Sequence, residues 1–515
     1  MTARMNGAEL LVAAAHTAGI RICFANPGTT ELTLVRALET EKRIRPVLCL
    51  FEGVCTGAAD GYARVSGSVA LTLTHLGPGF ANGIANLHNA RRAHSRIVNV
   101  VGEHATWHQR YDAPLHSDIE SLARPVSGSV VRLQSELTLQ RDLNAAFEAS
   151  ADGSVTIIAP TDLMDAQVST VQAFTASPRQ KRCVAEDHIK ACAAALSSGG
   201  PVILLLGGNG LREPAQRAAA RVADRLSARL IMEPYPAIVP LGGDLPALER
   251  LAYFSQDVRA QLGDAKIILA GARAPISYFG YEGEPSELVA RSHLIDLADA
   301  DDDCADALER LGTLLPACTG TVSATAAPVP NSAPAQFAPA GIAEEVAAQV
   351  PENAVVSLEG STLGGPYLRQ AHRAKRHRVM TNTGGAIGQG LPCAVGAALA
   401  EPDARVIALQ SDGSAQYTLQ SLWTMAREKL KVAIIIAANH RYGILQTELR
   451  RAGVDPDDAV PRELTYLEHP RVNWVSLADG YGVPGRSVST MEEFRTALRT
   501  ALETDGPYLI QVELD

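Results

Sequence analysis

The feature that most constrains the fold is a repeated alternation of short β-branched runs with longer helical stretches. Runs such as VALTLT, PVILLL and RVIALQ each lead into a turn rich in Gly, Pro, Asn or Asp. This pattern is typical of parallel strands joined by helices that cover both faces of a sheet. We therefore predict an α/β protein built from doubly wound parallel sheets. Because ligands bind past the carboxyl ends of such strands, the residues that follow these runs are the first candidates for function.

Composition divides the chain into three blocks. Residues 318–338 are rich in Ala, Pro, Ser and Thr and carry no charge, which is typical of a linker. We therefore predict a first domain at 1–175, a middle domain at 186–317 and a third domain at 339–515.

Charge and cysteine content exclude several classes of protein. The chain has 46 Lys and Arg against 56 Asp and Glu, and no basic stripe, so we expect no nucleic-acid partner. Eight cysteines without a CxxC pair are typical of reduced thiols. No apolar run reaches the roughly 18 residues of a membrane span, and Glu9 and His16 interrupt the apolar run that a signal peptide needs. We therefore expect a cytoplasmic protein that does not span a membrane.

A carboxylate and an amide follow two predicted strands of the third domain. Asp412 follows the run RVIALQS, and Asn439 follows VAIIIAA. In a parallel sheet both strand ends lie at one edge, so the two side chains can meet at one point. Carboxylate and amide oxygens are ligands that suit Mg²⁺, although an Asp-Gly after a strand is also typical of an ordinary turn.

Two further segments have the composition of ligand-binding turns. The glycine-rich stretch 383–390 opens onto a helix of small residues, where backbone N–H groups favour an anion, but the same composition is typical of a tight turn. Glu52 follows the apolar run PVLCLF and precedes another helix of small residues. It is either a carboxylate at the apolar rim of a sheet or a solvated residue of a first helical turn.

Together these segments resemble those of the thiamine-diphosphate (ThDP)-dependent decarboxylase and acetohydroxyacid synthase superfamily. The resemblance rests on Glu52 followed by ADGYAR, on the G-x-I-G loop, and on Asp-Gly followed by an Asn 27 residues after the Asp. It covers essentially the whole chain and implies a pyrimidine-binding, a Rossmann-like middle and a diphosphate-binding domain, in that order. It also implies ThDP and Mg²⁺ as cofactors, and active sites shared between the subunits of a homodimer or homotetramer.

The same resemblance assigns the metal ligands and the cofactor contacts. It implies that Asp412, Asn439 and the carbonyl of Arg441 bind Mg²⁺. The family motif has Gly and Asn where this chain has Ser411 and Ala438, but the ligand positions are retained, so we expect metal binding to persist. Glu52 is implied as the residue that activates the cofactor. The other cofactor-binding positions implied are Gly385, Ile387, Ser361, Thr362, Gly413, Ser414 and Asn82.

The residues expected around the substrate resemble two different members of the superfamily. The segment Asn26-Pro27-Gly28-Thr29 and the residue His75 resemble benzoylformate decarboxylase, which implies that Thr29 contacts the substrate carboxylate and His75 relays protons. Alternatively, His75 is bonded to the backbone outside the reaction centre. The Gly-Pro-Gly after His75 resembles the synthases instead. The substrate-pocket candidates are Leu115, His116, Leu445, Glu448 and Phe279, and His104 and His108 lie in the same loop as His116.

The resemblance favours non-oxidative decarboxylation of a 2-oxo acid, with carboligation of the intermediate as a second outcome. One alternative is an acetolactate synthase-like carboligase that forms 2-hydroxy-2-methyl-3-oxo acids from pyruvate. Another is a catalytically silent member that acts as a binding protein. The segment 207–210 is similar to a dinucleotide fingerprint and raises an NAD-dependent oxidoreductase as a third alternative, but Glu213 stands where the third Gly belongs, and we expect no FAD.

Overall fold

The structure is a computed structural model that describes residues 5–168, 182–197, 199–316 and 336–514. The chain forms two compact units. The first unit comprises Met1–Arg179, Val355–Gly364 and Met380–Asp515, and the second comprises Gln180–Ala354 and Gly365–Val379. The predicted linker at 318–338 lies outside the described residues except for its last three positions, and residues 169–181 before the middle domain are also not described.

The amino-terminal part of the first unit is a parallel sheet with helices on both faces. Its strands are β1 (Met5–Asn6), β2 (Ile22–Asn26), β3 (Arg45–Leu48), β4 (Ala70–Thr74), β5 (Ile97–Glu103), β6 (Ser129–Arg132), β7 (Val155–Pro160) and β8 (Gln167–Val168). Its helices are α1 (Gly7–Thr17), α2 (Leu32–Thr40), α3 (Glu52–Ser66), α4 (Leu76–Arg92), α5 (Ile119–Ala123), α6 (Leu139–Ala149) and α7 (Thr161–Asp165).

Six of these strands pair in parallel in the order β3-β2-β4-β5-β7-β6, while β1 and β8 form a separate antiparallel pair. Val98 and Val100 of β5 pack in the core that contains α1 and α6. The next residue, Val101, packs with Phe80 and Leu87 of α4. Successive side chains of β5 therefore enter different cores, as expected for a sheet covered on both faces.

The second unit contains another parallel sheet. Its helices are α8 (Glu186–Leu196), α9 (Glu213–Leu226), α10 (Ser255–Leu262), α11 (Cys304–Leu314) and α12 (Pro339–Gln349). Its strands are β9 (Val202–Leu206), β10 (Arg229–Met232), β11 (Val239–Leu241), β12 (Glu249–Arg250), β13 (Lys266–Ala270) and β14 (Leu294–Ala298). Five of them pair in parallel in the order β12-β10-β9-β13-β14, so the chain reverses its direction of growth between β9 and β13.

The remaining elements build a third sheet. Its strands are β15 (Val355–Leu358), β16 (His377–Thr381), β17 (Val406–Ser411), β18 (Val432–Ala438), β19 (Gly485–Val488) and β20 (Tyr508–Glu513). The helices are α13 (Ser361–Gln370), α14 (Gly390–Ala400), α15 (Asp412–Ala415), α16 (Ser421–Arg427), α17 (Gly443–Arg451), α18 (Ala459–Thr465), α19 (Trp474–Gly480) and α20 (Met491–Glu503). Within the first unit, five strands pair in parallel in the order β15-β17-β18-β20-β19.

The described residues also contain six single turns of 3₁₀ helix, three of which lie at Thr29–Glu31, Gly208–Leu211 and Gln416–Thr418. The predicted α/β class with several parallel sheets is confirmed. In the described ranges no helix is both long enough and apolar enough to span a membrane.

Small residues bring two helices of the first unit, α3 and α14, into close contact. A Cβ atom added to Gly57 would lie 2.7 Å from the Pro392 side chain, and one added to Gly61 or Gly396 would overlap backbone of the opposite helix. Larger side chains at these positions would push the helices apart. The contact joins the six-stranded sheet and the last sheet within one unit.

Candidate active site

The first group of candidate residues lies at the carboxyl edge of the six-stranded sheet. Glu52 begins α3 and is only 7% exposed. Asn82 Nδ2 of α4 donates to Glu52 Oε2 at 3.0 Å. Gly79 leaves space for this carboxylate, because a Cβ atom there would lie 3.0 Å from Glu52 Oε1. The structure therefore brings two predicted residues, Glu52 and Asn82, into direct contact.

His75 lies between β4 and α4, and its imidazole is held by a buried carboxylate that is not among the residues predicted from the sequence. His75 Nδ1 lies 2.9 Å from Oε2 of Glu31, whose side chain is 0% exposed. The backbone N–H of Gly28 donates to the same oxygen at 2.7 Å. The hydroxyl of Thr30 donates to Glu31 Oε1 at 2.5 Å and also lies 3.1 Å from His75 Nδ1.

Two glycines make this arrangement sterically feasible. A Cβ atom at Gly28 would overlap the imidazole of His75, and a Cβ atom at Gly102 would overlap Glu31 Oε1. The neighbouring Thr29, which the resemblance assigned to the substrate, begins the turn and is exposed. The hydroxyl that contacts His75 is that of Thr30, so the structure does not bring Thr29 into this hydrogen-bonded group.

A second buried carboxylate ends β5, and the loop that follows carries two of the predicted pocket residues. Glu103 is fully buried, and its Oε1 accepts the backbone N–H of His104 at 2.7 Å and lies 4.0 Å from His116 Nδ1. Arg132 donates to the other oxygen at 3.5 Å. His116 Nδ1 and His104 Nε2 are buried atoms without a hydrogen-bond partner among the described residues, and Leu115 is exposed.

The predicted metal ligands lie together at the carboxyl edge of the last sheet. Asp412 is buried at the start of α15, and its two oxygens accept the backbone N–H groups of Gly413 at 2.9 Å and His440 at 2.7 Å. Asn439 Oδ1 accepts the backbone N–H of Arg441 at 3.3 Å. Burial raises the pKa of Asp412, and the two N–H groups partly oppose that effect.

The predicted diphosphate turn is linked to this edge. Asn439 Nδ2 donates to the hydroxyl of Thr362 at 3.2 Å, and Ser361 begins α13 and is exposed. Gly360 has a φ of +95°, and a Cβ atom there would overlap Ser411 Oγ. The Ser that replaces the family's Gly at position 411 therefore fills space beside the turn. The hydroxyl of Ser414, which is buried, donates to the carbonyl of Ser411.

A fully buried carboxylate, Glu359, holds the glycine-rich loop 382–390. It accepts the backbone N–H groups of Gly388 at 2.8 Å and Gly390 at 2.8 Å. The backbone N–H of Gln389 and the side chain of Asn382 also donate to it. Burial raises the pKa of Glu359, while these donors lower it.

The exposed tip of the loop contains the two predicted pyrimidine contacts. Gly385 has a φ of +79°, and its N–H donates to Asn382 Oδ1 at 2.8 Å, so that N–H is already bonded within the loop. Ile387 is 37% exposed. Helix α4 supports the tip, because Asn89 Nδ2 donates to the Ala386 carbonyl at 2.8 Å and His88 Nε2 lies 3.1 Å from the Gly384 carbonyl.

The remaining pocket candidates belong to both units. Leu445 and Glu448 lie on α17, where Leu445 is exposed. Phe279 belongs to the second unit and is exposed, with Tyr278 and Tyr281 as ring neighbours.

Three buried polar residues were missed from the sequence: Glu31, Glu103 and Glu359. Glu31 ends the turn after β2, Glu103 ends β5 and Glu359 directly follows β15, so all three lie at or just after strand ends, as Glu52 and Asp412 do. Glu31 also stands three residues after Gly28, in the spacing by which a glutamate accepts the N–H that opens a helical turn.

The segment 207–210 of the second unit lies at the point where the order of strands reverses, but backbone fills it. The N–H of Gly210 donates to the carbonyl of Gly207, and a Cβ atom at Gly210 would overlap the carbonyl oxygen of Ala270. The side chain of Glu233, after β10, accepts the N–H of Gly208 at 3.0 Å. Burial raises the pKa of Glu233 to about 7.

The edge of the last sheet fits a metal-bound diphosphate. A carboxylate has about four sites for donors or cations, and two of those of Asp412 are used by N–H groups. The nearby amide of Asn439 and hydroxyl of Thr362 supply the neutral oxygen groups that suit Mg²⁺ and phosphate. A bound cation would also compensate the burial that raises the pKa of Asp412.

Two protein-family models, each describing one domain, match the chain. The model of the thiamine pyrophosphate enzyme N-terminal TPP binding domain matches residues 5–123, and that of the C-terminal TPP binding domain matches residues 364–512. IlvX of Mycobacterium tuberculosis, provisionally named an acetolactate synthase large subunit, is 44% identical over 514 residues, which cover 99% of each chain. Benzoylformate decarboxylase of Pseudomonas aeruginosa is 27% identical over 529 residues, covering 96% of each chain.

A solved structure has the same fold over nearly the full length. The ThDP-dependent 4-hydroxybenzoylformate decarboxylase of Rhodococcus jostii RHA1 superposes with a TM-score of 0.83 at 26% identity, covering 99% of both chains. The match confirms the three-sheet α/β architecture predicted from the alternation of strands and helices.

Proposed function

Because the chain belongs to the thiamine pyrophosphate enzyme family, we propose that it decarboxylates a 2-oxo acid non-oxidatively with bound ThDP and Mg²⁺. The enzyme is ThDP-dependent and related to both acetolactate synthases and benzoylformate decarboxylases. The choice of decarboxylation rests on the position of His75. Glu31 holds the imidazole of His75 at the same sheet edge as Glu52. An imidazole there can give a proton to the carbon that loses CO₂.

Different groups of the protein would bind the cofactor and transfer protons. ThDP, when bound, supplies the electron sink that makes loss of CO₂ feasible. Asp412, Asn439 and the carbonyl of Arg441 would hold Mg²⁺, with Ser361, Thr362, Gly413 and Ser414 beside the diphosphate. The backbone of Gly385 and Ile387 would face the pyrimidine.

Glu52 would share a proton with the pyrimidine ring, because it is a buried carboxylate whose one side-chain donor among the described residues is Asn82. Thr29 would contact the substrate carboxylate through its hydroxyl, since it is exposed beside the turn that contains Glu31. His116, Leu115, Leu445, Glu448 and Phe279 remain candidates for the substrate pocket.

A second candidate function is an acetolactate synthase-like carboligation of pyruvate. The 44% identity to IlvX over the full length favours it. In that reaction the carbon that has lost CO₂ would be joined to a second carbonyl compound, whereas in simple decarboxylation it would take a proton. The two reactions therefore differ in whether a proton or a carbonyl carbon is added.

We further propose that the working enzyme is a homodimer or homotetramer. In the described part of the chain, Glu52 and Asp412 share no hydrogen-bond partner. A second copy would let the Glu52 edge of one protomer meet the Asp412 edge of its partner. Sedimentation analysis with and without ThDP and Mg²⁺ tests this, and an active monomer would contradict it.

The function is tested by incubating the protein with ThDP, Mg²⁺ and a panel of aliphatic and aromatic 2-oxo acids. Released CO₂ is measured, and the carbon products are identified by mass spectrometry. Aldehyde supports decarboxylation, acetolactate from pyruvate supports the second candidate, and no CO₂ from any acid rejects both. The Asp412→Ala variant serves as the metal-site control and should lose Mg²⁺-dependent retention of ThDP.

A further inference from the structure

The hydrogen bonds around Glu31 determine which nitrogen of His75 carries a proton. Glu31 Oε2 accepts the backbone N–H of Gly28, which can only donate. The same oxygen lies 2.9 Å from His75 Nδ1, so a carboxylate there requires the imidazole to donate through Nδ1–H. For neutral His75 this leaves Nε2 unprotonated, and no described residue is hydrogen-bonded to Nε2.

The carboxylate itself has little freedom to move. It is fully buried, and the hydroxyl of Thr30 occupies Oε1. Gly102 closes the opposite side, since even a methyl group there would overlap Oε1. The ring of His75 lies against Gly28, where a Cβ atom would overlap it. Both members of the pair are therefore fixed by close contacts, and not by the hydrogen bond alone.

We propose that Glu31 is a positioning residue that keeps His75 in the Nδ1–H tautomer, so that Nε2 is the nitrogen that exchanges protons with the substrate. The proposal rests on the proposed function for its reaction, but the tautomer itself is a property of the protein alone.

The direct test is ¹⁵N spectroscopy of histidine-labelled protein, with the His75→Ala variant used to assign the His75 signals. In the wild type at a pH where His75 is neutral, Nδ1 should be the protonated nitrogen. In Glu31→Leu, which lacks the carboxylate acceptor, the signals should move towards the Nε2–H tautomer, and the Thr30→Val/Glu31→Leu double variant also removes the hydroxyl that lies 3.1 Å from Nδ1. Retention of the Nδ1–H tautomer in Glu31→Leu would overturn the proposal, whether or not the enzyme has the proposed activity.

Glu31→Gln provides a second measurement if the leucine variant does not fold. Gln keeps an acceptor for Nδ1–H but removes the charge, so kcat should fall roughly tenfold or more with KM and ThDP affinity retained.

Other titratable groups lie near His75. Glu52, which begins α3, lies beside Gly79 of α4, Glu103 ends β5, and His116 lies in the loop that follows β5. All are unchanged in Glu31→Gln, so a lower kcat in this variant reports Glu31 alone. An unchanged kcat would reject the positioning role.

Glu9 offers a matched control in the same part of the chain. Its carboxylate accepts the backbone N–H of Asn6 at 2.9 Å, as Glu31 accepts that of Gly28, but no histidine among the described residues is bonded to it. Glu9→Gln and Glu9→Leu should leave kcat and the His75 signals unchanged. If His75→Ala itself retains full turnover, the role of His75 in the proposed function fails, while the ¹⁵N result still decides the tautomer.

Discussion

The carboxyl edge of the six-stranded sheet in the first unit and that of the five-stranded sheet in the second unit are both rich in glycine. The glycines make room for side chains at the first edge and for backbone at the second. In the six-stranded sheet, Gly28 lies against the imidazole of His75 and Gly102 against the carboxylate of Glu31. In the five-stranded sheet, Gly210 and Gly271 lie against the main chain of Ala270 and Gly207. The first edge therefore accommodates reactive side chains, whereas the second is closed by backbone.

The glutamates at the two edges also differ in what they contact. At the first edge, Glu31, Glu52 and Glu103 are buried and contact side chains of neighbouring segments. At the second edge, Glu233 has one described hydrogen bond, to the backbone of Gly208. Glycine in a parallel α/β sheet thus indicates a close approach, but only the approaching group distinguishes a reaction centre from a packed turn.

Replacing the carboxylate that begins α3 should produce the largest difference between the two edges. Glu52→Gln keeps the size of the side chain but cannot share a proton with the cofactor, so turnover should fall about 10²-fold or more while ThDP still binds. The matching change at the other edge, Glu233→Gln, should leave turnover unchanged. Turnover and ThDP affinity measured for both variants check this, and near-normal activity of Glu52→Gln would contradict the role of Glu52.

A methyl group at Gly102 should disturb the first edge through sterics alone. In Gly102→Ala the new Cβ atom would overlap Glu31 Oε1, so the carboxylate must move away from His75. We expect about tenfold lower turnover with ThDP affinity retained. Gly128→Ala is the control, because its Cβ atom would meet its nearest neighbour, the Ser154 carbonyl, at an ordinary 3.4 Å. Equal turnover of the two variants would show that Glu31 need not stay in place.

The corresponding change in the second unit should cost stability and not activity. In Gly210→Ala the Cβ atom would overlap the Ala270 carbonyl oxygen, which belongs to a strand and cannot rotate away. Overpacking of this kind typically costs about 1–3 kcal/mol. Urea unfolding of the full chain, compared with Gly280→Ala, where a Cβ atom meets nothing within 4 Å, measures the cost. A loss of turnover without a loss of stability would mean that this edge has a function in the reaction.

The sequence was sufficient to predict the sheets and the strand-end positions of the site. Short β-branched runs and the turns after them are local signals, which is why Glu52, Asp412 and Asn439 could be selected without a structure. Asp412 and Asn439 then converge on the backbone segment 439–441, as expected for neighbouring parallel strands.

The partners of these residues could not be predicted, because they depend on tertiary distances. Glu31 and His75 are 44 positions apart, and Glu359 lies about 30 positions before the loop that it holds. Nothing in the local pattern distinguishes the hydroxyl of Thr30 from that of Thr29 until the turn orients one of them towards His75. The packing of α3 on α14 likewise depends on which glycines face each other.

The smallest expected effect is a dependence of stability on pH at the edge of the five-stranded sheet. Burial raises the pKa of Glu233 to about 7 from an ordinary value of 4.5. The folded protein therefore holds this proton more tightly than the unfolded chain does. The stability it contributes is full below about pH 4.5 and is lost as the pH rises to about 7.

Glu233→Gln imitates the protonated carboxyl and should remove this dependence. Because Glu233 is partly exposed, we expect a gain of about 1 kcal/mol at pH 8, and less at pH 5. Hydrogen exchange of peptides that cover β9 and β10 measures the difference. Glu249→Gln on β12 is the opposite case, since a hydrogen bond from Arg229 lowers the pKa of Glu249, and its replacement should destabilise the same sheet at pH 8. An equal effect of Glu233→Gln at both pH values would show that the unpaired charge at this edge carries no cost.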